Sequence, residues 1–125
     1  VYVWAGRFRT IRLAKGENMF CYPENIPAEM KRLFARLEEE RLFDARSTPE
    51  FANTWAHFLA ELNAIHPFRE GNGRTQLAFV AMLASHAGHP LDLDRLEPEA
   101  TLDAMIRSFQ GDEAPLRDLI AAMIT

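Results

Sequence analysis

Cysteine is almost missing from this chain: the 125 residues hold one, Cys21. No internal disulfide can form, and that usage is consistent with a reducing compartment. No apolar run is long enough to span a bilayer, and no signal-like segment opens the chain. Positive charge is in the minority, 14 Lys and Arg against 18 Asp and Glu, which argues against a dedicated nucleic-acid binder. Internal repeats and low-complexity tracts are absent. So is the phosphate-loop pattern G-x-x-x-x-G-K-[ST]. An initiating Met is lacking as well: the chain begins Val-Tyr-Val-Trp-Ala-Gly and reads as a piece of a longer protein.

What is present is core material. A hydrophobic content of 48% is enough for one folded domain over 1–125, and it excludes a disordered chain. Residues 1–6 read as the tail of a helix closed by Gly6. Residues 8–13 carry β-branched and apolar side chains, 14–18 offer a turn, and 19–22 can pair back. That pattern predicts a short β-hairpin. A helix is expected from about Pro27 to Leu42, with Met30, Leu33, Phe34 and Leu37 in one stripe. Another begins at Thr48-Pro49, a cap followed by proline, and buries Phe51, Trp55, Phe58, Leu59 and Leu62. The segment from about Gly73 to Ser85 is apolar on most faces, which predicts a helix at the centre of a bundle. Two more follow Pro98 and Pro115, the first stopped at Gly111. The expected fold is an all-α bundle of about six helices with one small hairpin near the start.

The densest chemistry lies in His66-Pro67-Phe68-Arg69-Glu70-Gly71-Asn72-Gly73-Arg74. This loop ends at a helix N-terminus, where unpaired N–H groups and the positive end of the dipole favour phosphate. Gly71 and Gly73 let backbone N–H groups turn toward an anion without interference from a Cβ, and Asn72 can add a side-chain donor. Glu70 is a hard oxygen ligand suited to Mg²⁺. Arg74 in a first helical turn opposes the dipole unless an anion is bound, so it reads as a phosphate clamp. His66, mostly neutral near pH 7, can accept a proton from an attacking hydroxyl. The competing readings are ordinary ones: a capping histidine, an Asn-Gly turn and a surface pair of Glu70 with Arg69 or Arg74. Phe68 reads as an anchor for the loop. A zinc site on His86 and His89 has too few ligands.

These residues resemble the signature of the Fic family, HxFx[DE]GNGRxxR, unbroken from His66 to Arg74. At the last place the pattern has a second arginine and this chain has Leu77. Trp4-Ala5-Gly6, Arg9-Thr10 and Lys15-Gly16 also look like family sequence. The resemblance implies a Mg²⁺-dependent transfer of AMP from ATP to a Ser, Thr or Tyr hydroxyl of a target protein. It assigns His66 as base, Glu70 to the metal, and Gly71, Asn72, Gly73 and Arg74 to phosphate. The hairpin looks like the family's flap, which implies target docking at Ile11, Arg12, Leu13, Lys15, Met19 and Phe20. Leu77 cannot hold a γ-phosphate as the arginine would. That leaves open a silent nucleotide- or protein-binding module, or a relative using another phosphate donor. The inhibitory pattern [ST]xxxE[GN] is absent, since position 13 is Leu where Glu17-Asn18 would require Ser or Thr. Restraint would then come from an antitoxin-like partner or from sequence elsewhere. The implied setting is the cytoplasm, or a host cell for a secreted effector.

Overall fold

The computed structural model describes residues 7–15, 17–39, 47–68 and 72–124. Within them five helices follow a small hairpin: β1 (Ala14–Lys15), β2 (Asn18–Met19), α1 (Ile26–Glu39), α2 (Thr48–Ile65), α3 (Asn72–His86), α4 (Pro98–Phe109) and α5 (Ala114–Met123). Short 3-10 turns precede α1 and α4. None of these helices is long and apolar enough to cross a membrane. The helix end expected at 1–6 lies outside the described residues.

The centre of the bundle is α2, against which α1, α3, α4 and α5 all pack. Its start is fixed by Ser47, one residue before the expected cap. Ser47 is extended (φ −62°, ψ 156°), and its hydroxyl accepts the Glu50 N–H at 3.5 Å while Pro49 occupies the first turn. Phe51, Trp55, Phe58, Leu59, Leu62 and Ile65 are all buried, and Ala52, Ala56 and Ala60 fill the spaces between them. Burying each large side chain contributes about 1.5–3 kcal/mol before entropy is charged against it. Among the described residues the indole N–H of Trp55 has no partner, a local cost of about 1–3 kcal/mol.

The expectation that α3 is central is corrected. Its buried residues, Asn72, Gln76, Val80 and Ala84, recur every fourth position and form one narrow stripe, whereas Met82 is 60% exposed. Apolar composition misled because its alanines are small enough to be left in water at little cost.

The hairpin is also shorter than expected. Only Ala14 pairs with Met19 and Lys15 with Asn18, followed by one further bond from Phe20 N–H to the Leu13 carbonyl. Residues 8–13, expected as a strand arm, run irregularly because Arg9 turns inward to the end of α2.

Around α2 polar side chains form one chain. Arg36 of α1 grips both Glu61 carboxylate oxygens at 2.8 and 2.6 Å. His57 lies between Glu61 and Glu113, 3.0 Å from each.

Candidate active site

Helix α2 stops where Pro67 follows His66, because proline disfavours the α conformation in the residue before it. His66 adopts the left-handed region instead (φ 49°, ψ 63°) while its N–H still bonds the Leu62 carbonyl at 2.9 Å. It is the one non-glycine residue with positive φ among those described. That conformation costs about 1–2 kcal/mol, so surrounding contacts must hold it.

They do. The Arg9 guanidinium donates to the carbonyls of His66 (2.6 Å), Ile65 (3.0 Å), Ile11 (2.7 Å) and Cys21 (2.5 Å). The Arg9 N–H reaches the Pro67 carbonyl at 2.9 Å, and the Cys21 N–H reaches that of Ala64 at 3.1 Å. The last carbonyls of α2, left without helical partners, are therefore capped by the chain flanking the hairpin.

Phe20 lies ring on ring with His66 at 3.9 Å and with Phe109 of α4 at 4.4 Å. Burial pushes the His66 imidazole below its ordinary 6.5. The Arg9 guanidinium and the Lys15 ammonium act in the same direction, and the Asn63 backbone opposes them. Among the described residues Nδ1 is buried with no hydrogen bond of good geometry, so the contact with the Asn63 backbone is a weak one. A cavity of about 100 Å³ adjoins the ring, lined by Lys15, Phe20, Asn63, Met105 and Phe109 among others. A larger one of about 480 Å³ lies behind the hairpin, between Cys21, Tyr22, Glu29 and Glu61.

Across the loop, Asn72 opens α3 with its side chain folded back. Its Oδ1 accepts the Phe68 N–H at 2.9 Å and its Nδ2 donates to the Phe68 carbonyl at 2.5 Å. Asn72 is buried, and both ends of its side-chain amide are engaged by the Phe68 backbone. Gly73 in the first turn faces open space, with nothing within 4 Å of where a Cβ would sit. Arg69, Glu70 and Gly71 lie outside the described residues, as does the side chain of Arg74. Leu77 is half-buried and packs against the core. No group of three or more His, Cys, Asp and Glu among the described residues is placed to hold a metal.

Two of the expected docking residues, Phe20 and Leu13, are not exposed. Phe20 is buried between His66 and Phe109 and covers one face of the imidazole. Leu13 is half-buried, and its carbonyl is taken by Phe20. Ile11, Arg12, Lys15 and Met19 are exposed, with Arg12 over the Tyr22 ring at 4.5 Å. The sequence reading gave no role to Arg9, because it sits in a run that looks like a strand. It also passed over Gln76, buried and with both amide atoms unpartnered among the described residues.

The model of the Fic/DOC family matches residues 1–84. A probable protein adenylyltransferase of Sinorhizobium fredii, y4lH, is 58% identical over 125 residues, covering 99% of this chain and 65% of that protein. The crystal structure of BepC, a VirB-translocated effector of Bartonella tribocorum with bound AMPPNP, superposes with a TM-score of 0.85 at 27% identity, covering 98% of this chain and 66% of that one. The N-terminal Fic domain of a cell filamentation protein of Bartonella quintana, with bound ADP, gives 0.87 at 27%, covering 99% and 65%. The chain thus spans just under two thirds of each of these relatives.

Proposed function

The chain belongs to the Fic/DOC family, and on that premise we propose that it is a protein adenylyltransferase that moves AMP from ATP to a side-chain hydroxyl of a target protein. One observation carries the reading. His66 is fixed at the end of α2, its pKa lowered by burial and by two cations, and the same loop leads to the N-terminus of α3.

In this reading Nε2 of His66 takes the proton from the target hydroxyl as its oxygen attacks the α-phosphorus. The bond to the bridging oxygen breaks and pyrophosphate leaves. Positioning and charge stabilisation supply most of such a rate, and the chain's own groups serve both. The α3 N-terminus offers N–H groups to phosphate oxygens, and the open space beside Gly73 suits their close approach. Gly71 and Arg74 would complete the cradle, with Asn72 acting by shaping the loop. Mg²⁺ would be held by Glu70 with the nucleotide's phosphates, and would neutralise charge between them. Exposed Ile11, Arg12, Lys15 and Met19 would register an extended target segment along the hairpin edge by main-chain hydrogen bonds.

A second reading, nucleotide binding without turnover, draws on Leu77. Where the family pattern has its second arginine, this side chain packs into the core. The kinship with translocated effectors supports a secreted role, and an inhibitory partner protein would fit a toxin-like one.

The test is ATP labelled at the α- or the γ-phosphate, incubated with cell lysate and either native protein or His66→Ala. Protein labelled from the α position alone, and lost in His66→Ala, is expected. Nucleotide binding with no transferred label would favour the second reading, and transfer of the γ label would mean phosphorylation.

A further inference from the structure

We propose that Arg9 is the positioning residue of this site: its guanidinium locks the base and the hairpin into one geometry by gathering carbonyls from both. The proposal rests on the adenylyl-transfer reading for its kinetics but not for its structure.

Arg9 is buried, 4% exposed, and no carboxylate among the described residues pairs with it within ion-pair distance. An unpaired cation in that position would be costly unless its donors were used. Its donors reach four carbonyls, and the four fall into two groups. Ile65 and His66 belong to the exit of α2, whereas Ile11 and Cys21 stand just before and just after the hairpin. Cutting those bonds would free the base from the strand edge that presents the target. They would also stop supporting the left-handed conformation of His66, which has an intrinsic cost.

A neutral side chain could fill the same space. What it could not do is act on the imidazole. The charged groups that act on His66 from the hairpin side are Arg9 and Lys15, both cations. From α4 the cavity beside it receives apolar side chains, among them Met105 and Phe109. The cation thus helps keep His66 unprotonated in addition to holding its backbone. Lysine would keep the charge but not the planar fork that spans four acceptors.

The experiment uses the full-length protein with Arg9→Gln and Arg9→Lys, reading His66 by NMR titration of its imidazole and transfer by steady-state kinetics. In Arg9→Gln the His66 midpoint should rise and kcat should fall about 100-fold, the scale of a small misplacement of reacting groups. KM for ATP should hold. In Arg9→Lys the midpoint should stay down while kcat falls by a smaller factor. A folded Arg9→Gln with a native His66 midpoint, or with native kcat, overturns the proposal. Should Arg9→Gln not fold, Arg9→Lys decides: native kcat overturns it, and lowered kcat at an unmoved midpoint upholds it. If the native protein transfers no AMP, the proposed function fails. The titration still tests Arg9 in that case, because it needs no turnover.

Discussion

Phe20 and His66 are stacked, with 3.9 Å between ring centroids and 12° between planes. One hairpin residue thereby sets how dry the base is. Drying is the largest cause of the lowered His66 pKa, so uncovering the ring should raise it. Phe20→Ala should move the acid limb of the kcat/KM–pH profile upward toward 6.5, with the larger loss of rate at pH 6 than at pH 8. Truncation of a buried Phe costs about 3–5 kcal/mol, so Phe20→Leu serves as the folded comparison with an intermediate shift. The same group acts on stability. Its folded-state pKa lies below the unfolded one, so the folded protein binds fewer protons and stability falls as pH drops below about 6.5. That decline should level off below the folded value and be absent in His66→Gln, which thermal unfolding between pH 5 and 8 would check.

Asn72 closes the loop by pairing with both backbone groups of Phe68. Asn72→Ala leaves them without those bonds and should cost about 1–3 kcal/mol in urea unfolding. Asn72→Asp keeps the acceptor for the Phe68 N–H and should cost less. For nucleotide the order should invert, since a carboxylate at the start of α3 repels phosphate and alanine does not. Isothermal titration with ADP would check the ranking. Affinities that simply follow stability would contradict it.

The helices were legible because their signals are local. Proline marked four starts, Gly111 with φ +100° marked a stop, and five of α2's apolar residues fell at helical spacing and are buried. The loop motif was legible because its residue types are unusual together. Arg9 was not, since its partners are backbone carbonyls 56 and 57 residues away along with two nearby, and carbonyls leave no trace in sequence. The burial of Phe20 was hidden for a related reason. An aromatic on a hairpin looks exposed until the far end of α4 supplies Phe109 to cover it. The rank of α2 over α3 depended on packing density, and two apolar helices differ there only once they are assembled.

Gly73 separates a structural from a functional glycine. A methyl group there meets nothing within 4 Å, and the residue is helical, so Gly73→Ala should stabilise the fold by about 0.4–1 kcal/mol. If phosphate approaches at this point, the same methyl group obstructs it. The expected pairing is a raised thermal midpoint with ADP affinity down about tenfold, equivalent to about 1.4 kcal/mol. Unchanged affinity would place the phosphates elsewhere.

Leu77 offers the sharpest comparison between the two functional readings. The side chain is half-buried and packed on the core, so Leu77→Arg should destabilise by about 0.5–3 kcal/mol, moderated because an arginine stem can keep part of the apolar contact while its head reaches water. A guanidinium here would regain a charge-assisted contact of about 1.5–3 kcal/mol with a γ-phosphate, or about ten- to a hundredfold in kcat/KM for ATP. ADP has no γ-phosphate, so its affinity should not change. A gain with ATP alone would identify Leu77 as an attenuating residue in a working transferase. Equal effects on ATP and ADP would mean that the new charge acts only through the general field of the site. No transfer in either protein would leave the binding module as the standing reading.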